Sequence, residues 1–302
     1  MQEPVTGSGA ELDDWFPIRE VARRTGVNPV TLRAWERRYG LIQPKRTPKG
    51  HRLYDAGHIA RIHQVLGWLQ RGVAVGQVKP LLQGALIQPE PVSSLWHAQL
   101  NGLLESIEQL AEPQLDELFN QASALYPSET LYAQLLSPLL AQLQSRWNAH
   151  SSMRVEQVFF ESWLRNRLSA RIYHGNRLPG GAPVLMLNLS DRTLEPTLWI
   201  SAWLASNAGY PVRVLERLIR AEDLAFALRK IQPRALLLFS DQCIDSAYLR
   251  GALESNQLPS LLCGHAVSIH RETLQNLPGM QLADDPLTAL HCLQRLSPPD
   301  SQ

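Results

Sequence analysis

The chain has 302 residues, 44% of them hydrophobic and 19% charged, with 29 Lys and Arg against 28 Asp and Glu. That gives room for two or three globular domains and excludes disorder except at the ends. No positively charged, then apolar, leader opens the sequence and no run of about 18 apolar residues occurs in it, so a cytoplasmic protein with no membrane partner is expected.

The near-neutral total hides an asymmetry. Residues 16–84 carry 13 Lys and Arg against 3 Asp and Glu, about +10, so the remainder carries about −9. A basic patch of that kind neutralises phosphates and supplies sequence-independent affinity for nucleic acid that falls with salt. Base-edge contacts or DNA deformation must then supply discrimination.

In chain order, residues 1–14 have no periodicity and read as a flexible leader. Phe16 opens the ordered part with a short strand, and residues 18–27 form a first helix with Ile18, Val21 and Ala22 on its apolar face and Gly26 in the turn that ends it. A second helix has both ends written in. Asn28 is an N-cap, Pro29 suits the first helical position, and Gly40 sits where a left-handed residue is wanted. Arg33, Arg37 and Arg38 project from this helix, while Val30, Leu32, Trp35 and Tyr39 divide between a core side and its flanks. Helix, Gly-containing turn and basic helix make the helix-turn-helix pattern. A solvated basic face is the alternative for the three arginines taken alone.

Residues 44–54 follow with the Pro and Gly punctuation of a hairpin, made basic by Lys45, Arg46, Lys49 and Arg52. Such a hairpin can straddle the phosphate backbone as a wing. Residues 55–69 read as a helix capped by Asp55, and residues 75–82 as a shorter one closing a domain over 15–84. His51, His58 and His63 match no zinc spacing and read as surface or phosphate-proximal histidines.

The run from Thr31 to Ile42, with Pro44, Arg46 and Gly50-His51-Arg52-Leu53-Tyr54, resembles the winged-helix domain of MerR-family transcriptional regulators. The resemblance implies a homodimer on an inverted-repeat promoter site in double-stranded DNA. The recognition helix would enter the major groove and the wing would lie on phosphates, so that a reshaped promoter spacer acts on RNA polymerase indirectly. The DNA-binding residues expected are Arg33, Trp35, Arg37 and Arg38 in the groove, Arg46, Lys49, His51 and Arg52 on the wing, and Arg19 and Thr31 beside them. Trp35 and Tyr39 could equally be core residues of the motif.

Pro89 and Pro91 among Gln and Ser mark a linker over 85–94. Residues 95–178 are helical in pattern, with helices over 95–111, 113–125, 128–147 and 153–172, enough for a four-helix bundle, and Pro138 is expected to kink the third. The texture then changes. Apolar runs at 183–189, 212–215, 235–239, 260–263 and 280–282 alternate with helices over 195–208, 221–231, 247–254, 270–277 and 286–296. This argues for a parallel sheet of the doubly wound type over 179–298, with any pocket at the carboxyl ends of the strands near Ser190, Asp191, Ser240, Gln242 and His265. Cys243, Cys263 and Cys292 are widely spaced and odd in number, hence buried small hydrophobes rather than a metal site or disulfide.

A winged helix, a helical bundle and a doubly wound domain in this order resemble the cobalamin-binding regulators of the MerR family. Their bundle carries a Trp followed ten and eleven residues later by Glu and His, and their first strand is followed by an acid, any residue, the cobalt-ligating His, two residues and Gly. Trp147 fits, but Gln157 and Val158 stand at the later positions, Thr193 replaces the His and Pro196 the Gly. A threonine hydroxyl does not replace imidazole as an axial donor. No cofactor and no metal are therefore expected. The departures resemble the curli and biofilm-matrix activator subgroup (MlrA-like).

A regulator whose sheet domain senses a molecule other than cobalamin is the alternative. A dimerisation and partner platform is the blander reading of that domain. Glu161, Asp191 and His265 carry no catalytic spacing, so no enzyme is expected.

Overall fold

The computed structural model describes residues 15–84, 93–149, 154–177, 181–192, 194–242, 248–249, 251, 258–274 and 279–297. The expected leader over 1–14, the linker up to residue 92, Thr193, Cys243 and most of the helix near 247–254 lie outside the described residues. The chain divides into two compact units, Met1–Glu105 with Pro113–Leu139, and Ser106–Glu112 with Leu140–Gln302.

In the first unit, β1 (Phe16–Pro17), β2 (Lys45–Arg46) and β3 (Arg52–Tyr54) form an antiparallel sheet with β3 in the middle. Helix α1 (Ile18–Thr25) ends at Gly26, and α2 (Pro29–Ala34) begins at Asn28, whose Oδ1 accepts from the Val30 and Thr31 N–H groups, each at 2.9 Å. The helix then widens into a π turn over Trp35–Tyr39 and stops at Gly40, whose φ of 57° is the left-handed conformation that favours glycine. Helix α3 (Ala56–Gln70) starts at a reciprocal cap: Asp55 accepts from the His58 N–H at 2.8 Å, and the His58 ring accepts from the Asp55 N–H at 3.2 Å. With α4 (Val75–Leu82) these elements enclose Val21, Val27, Leu32, Trp35, Leu41, Tyr54, Ile62, Val65 and Leu69. Burial of such side chains contributes roughly 1.5–3 kcal/mol each against leaving them exposed.

Helices α5 (Ser93–Glu108) and α6 (Glu112–Leu125) follow. The Trp96 indole donates to the Gly72 carbonyl at 2.9 Å, its ring lies 4.5 Å from that of Tyr126, and the Tyr126 hydroxyl accepts from the Val75 N–H at 3.5 Å. These aromatic contacts tie α5 and the end of α6 to the winged-helix residues. The segment expected as one bundle over 95–178 is accordingly shared between the two units. The third helix of that segment consists of α7 (Ser128–Leu131), a π turn over Tyr132–Leu136 and α8 (Ser137–Ala149). The irregularity lies just before Pro138, which has no N–H for the carbonyl four residues back and whose ring crowds it.

The second unit holds α9 (Arg154–Gly175) and a five-stranded, wholly parallel sheet of β4 (Val184–Asn188), β5 (Val212–Leu215), β6 (Ala235–Phe239), β7 (Ser260–Cys263) and β8 (Met280–Ala283), in the order β5-β4-β6-β7-β8. Helices α10 (Pro196–Asn207), α11 (Ala221–Ile231), α12 (His265–Leu274) and α13 (Pro286–Leu296) connect and cover it. On one face Leu185, Leu187, Leu236, Leu238 and Leu262 meet Leu224, Leu228, Val267 and Leu274. On the other, α10 lies against β4 and β5 while α9 and α13 pack on it. Being covered on all sides, α10 has eight successive buried residues, Leu198 to Ala205, and no amphipathic period. The order reverses between β4 and β6, the switch point at which such sheets open a crevice.

The start of one helix differs from expectation by a full turn. Helix α12 starts at His265, not near 270, and is irregular at His270. Gly264, at φ 117°, passes so close to β6 that a Cβ there would lie 2.3 Å from the Ser240 carbonyl oxygen, and Asp241 accepts from the His265 N–H at 2.9 Å. The helix therefore begins directly on the strand end.

Candidate nucleic-acid interface

The arginines of the first unit are held differently: Arg61 and Arg71 donate to the Leu41 and Gly67 carbonyls, and others meet carboxylates. Glu20 holds Arg23 and Arg24, each at 2.6 Å, which drives its carboxyl pKa down to about 2. Glu36, in the second helix, takes Arg46 at 2.8 Å and Arg52 at 2.5 Å. Burial opposes ionisation of Glu36, yet the two guanidiniums prevail and hold its carboxyl below the usual range. Arg33, Arg37 and Arg38 are exposed and have no ion-pair partner among the described residues. Guanidinium forks left uncompensated on an ordered helix are matched to external phosphates and base edges.

Glu36 was not singled out by sequence reasoning. The signal was present, since it is the one acid between residues 21 and 54. By clamping Arg46 of β2 and Arg52 of β3 it fixes the hairpin against the helix. The hairpin tip closes through the Gly50 N–H on the Thr47 carbonyl at 2.8 Å and the His51 N–H on the Thr47 hydroxyl at 3.0 Å. Lys49 and His51 are exposed at that tip, and Arg46 and Arg19 are exposed as well. Arg52 is only partly so, its side chain 18% accessible. Tyr54 is buried beneath the hairpin, and burial, with the Glu36 charge beside it, pushes its hydroxyl up to about 12.

Two expected DNA contacts belong to the core. Trp35 is 0% accessible and its indole donates to the Leu125 carbonyl at 2.8 Å; Thr31 is also 0% accessible. Both lie on the inner side of the helix, one turn apart, so neither side chain reaches a base edge in this arrangement. Trp35 therefore takes the alternative read for it in the sequence, as a core residue of the motif.

At the carboxyl ends of β4 and β6 in the second unit, Arg192 bridges Glu161 at 3.2 Å and Glu195 at 3.4 Å, while Asn188 donates to the Arg192 carbonyl at 2.6 Å. Gln157 donates to Glu161 at 2.8 Å, and Glu156 accepts from the Trp147 indole at 2.8 Å and from Arg146 at 2.7 Å. These polar groups are thus paired with one another. Thr193 offers no imidazole, and Pro196 is the first residue of α10. The residues present do not fit cobalamin. Among the described residues no cluster of His, Cys, Asp and Glu could hold a metal ion. Cys263 and Cys292 are buried free thiols, and burial pushes that of Cys263 up.

Glu195 itself is 3% accessible, and burial together with the Asp241 charge pushes its carboxyl up to about 7. An acid whose pKa rises on folding binds more protons when native, so stability falls as pH climbs from about 4.5 to about 7 and stays lower above that. Glu195→Gln is expected to raise stability at pH 8 by roughly 1–3 kcal/mol and to bring little change at pH 5, read by thermal unfolding at both pH values. A variant less stable than the parent at pH 8 would mean that the ionised pair with Arg192 outweighs desolvation.

Residues 16–85 match the MerR HTH family regulatory protein family. The chain is 33% identical over 201 residues to the HTH-type transcriptional regulator MlrA of Escherichia coli K12, covering 66% of this chain and 79% of that protein. It is 25% identical over 231 residues to the HTH-type transcriptional repressor CarH of Myxococcus xanthus, covering 72% and 76%. A crystal structure of a cobalamin-binding protein from Desulfitobacterium hafniense DCB-2 overlaps 65% of this chain and 98% of its own, at a TM-score of 0.35 and 14% identity. With its capped basic helix, its clamped wing and relatives of this extent, the chain belongs to the MerR family of helix-turn-helix transcriptional regulators.

Proposed function

We propose that this regulator binds an inverted-repeat promoter site as a homodimer and acts without cobalamin. Arg33, Arg37 and Arg38 enter the major groove; Arg46, Lys49, His51 and Arg52 follow the phosphates; and Arg19 lies on the backbone from the first helix. The observation that carries this is the division of charge. In a domain of net charge about +10, the three arginines of the second helix have no carboxylate partner among the described residues, whereas Arg23, Arg24, Arg46 and Arg52 do, so folding leaves the charge of that helix available to DNA. Two-fold operator symmetry then calls for two such helices about one DNA turn apart. RNA polymerase would feel the reshaped promoter rather than a direct contact. No helix among the described residues is long and apolar enough to cross a membrane, which accords with a regulator working in the cytoplasm, in the biofilm-matrix role of its MlrA-like subgroup.

Titration of the purified chain onto its own upstream promoter fragment at two salt concentrations tests this reading. Specific binding at least about 1,000-fold tighter than to random DNA is expected, unchanged by added cobalamin. Weak binding that only tracks salt would sink it for that promoter. A change on adding cobalamin would sink the claim of independence.

A second reading keeps the sheet domain as a sensor of another small molecule, and one observation favours it. Glu161, Arg192, Glu195 and Asp241 gather at the strand ends where the sheet order reverses, the usual place for a ligand in this topology.

A further inference from the structure

Arg33, Arg37 and Arg38 do not stand on an open convex surface. With Val30 and Ala34 they form one wall of a cleft of about 370 Å³ whose other wall carries Ala124, near the end of α6. That wall is held in place: the Leu125 carbonyl takes the Trp35 indole N–H at 2.8 Å, and Tyr126 packs on Trp96. The volume falls in the range of small-molecule sites. Its chemistry is two-sided. Three guanidiniums without internal partners supply planar forks for phosphate oxygens, and the Val30, Ala34 and Ala124 side chains supply an apolar ledge, Val30 being 58% exposed.

We propose that this cleft binds a small phosphorylated anion of about mononucleotide size, and that such a ligand competes with DNA for the recognition helix. The proposal rests on the reading of these arginines as DNA contacts only for the competition, not for the binding. Occupying the cleft would consume the same guanidinium forks that DNA needs, while keeping α6 beside the helix.

Isothermal titration of the DNA-free, full-length protein with inorganic tripolyphosphate and with AMP tests the binding. One site per chain is expected for either probe, with a Kd below about 1 mM at constant ionic strength, where simple screening is already accounted for. Ala124→Phe fills the cleft without replacing an arginine and should weaken binding by at least about tenfold. If that variant does not fold, Val30→Phe fills the same space from the exposed side and is read in the same titration. In an anisotropy assay on the promoter fragment, tripolyphosphate should displace DNA at concentrations where sodium chloride of equal ionic strength does not. No binding by the parent protein, or equal binding by the filled variant, overturns the site. Binding with no displacement of DNA beyond the salt control overturns the competition. Absence of specific DNA binding instead tells against the groove reading and leaves the titration to decide the site.

Discussion

Replacing Arg37 and Arg38 together by alanine is expected to cost about 100-fold or more in affinity for the specific promoter, with the fold intact. Both side chains are exposed and neither takes part in an ion pair among the described residues, so their removal strands no buried partner. Each arginine on a base edge is worth roughly 1–3 kcal/mol of discrimination, while one on a phosphate lowers affinity evenly across sequences and reduces the salt slope by about 1. Binding isotherms on promoter and random DNA at several salt concentrations separate these roles. Loss confined to the promoter fragment places the pair on bases; equal loss on both fragments with a shallower salt slope places it on the backbone. Unchanged affinity on both would remove the helix from the interface.

The largest effect on stability is expected at Trp35. Truncation to alanine deletes a fully buried indole, and with it the hydrogen bond to the Leu125 carbonyl, at a cost of about 3–5 kcal/mol. Trp35→Phe keeps most of the ring volume and loses the N–H, which should cost about 1 kcal/mol plus the imperfect fit. Denaturant unfolding followed through the first unit measures both. The same phenylalanine variant checks the reassignment of this residue from DNA to core. A folded Trp35→Phe protein should bind promoter DNA as the parent does, and a selective loss of sequence discrimination would return Trp35 to the groove.

What the sequence made legible was local. Asn28, Pro29 and Gly40 bracket their helix because a cap acts on N–H groups two or three residues away, and Asp55 does the same for α3. Strands β6 and β7 fall where the apolar runs put them, since a strand buried on both faces has no polar position to blur its ends. What stayed hidden depends on partners far along the chain. Trp35 looked able to face either way because its hydrogen-bond acceptor lies 90 residues on. Glu36 was not singled out because Arg46 and Arg52 come to it only through β2 and β3. The start of α12 was missed because it is set by the carbonyl of Ser240 on another strand. At the candidate interface, residue types and charge were readable, whereas the split between clamped and unclamped arginines was not.

The parallel order β5-β4-β6-β7-β8 also bears on the timing of synthesis. Val184 pairs with Ala235, and the sheet cannot be completed until Met280–Ala283 has left the ribosome. Every strand pairing of the winged helix, by contrast, lies between Phe16 and Tyr54. Local contacts form early in a nascent chain and long-range parallel pairing forms late. A half-made chain thus already displays the basic helix while its sheet is still unbuilt. Prematurely terminated products that survive would carry the basic helix into the cell with no completed sheet behind it.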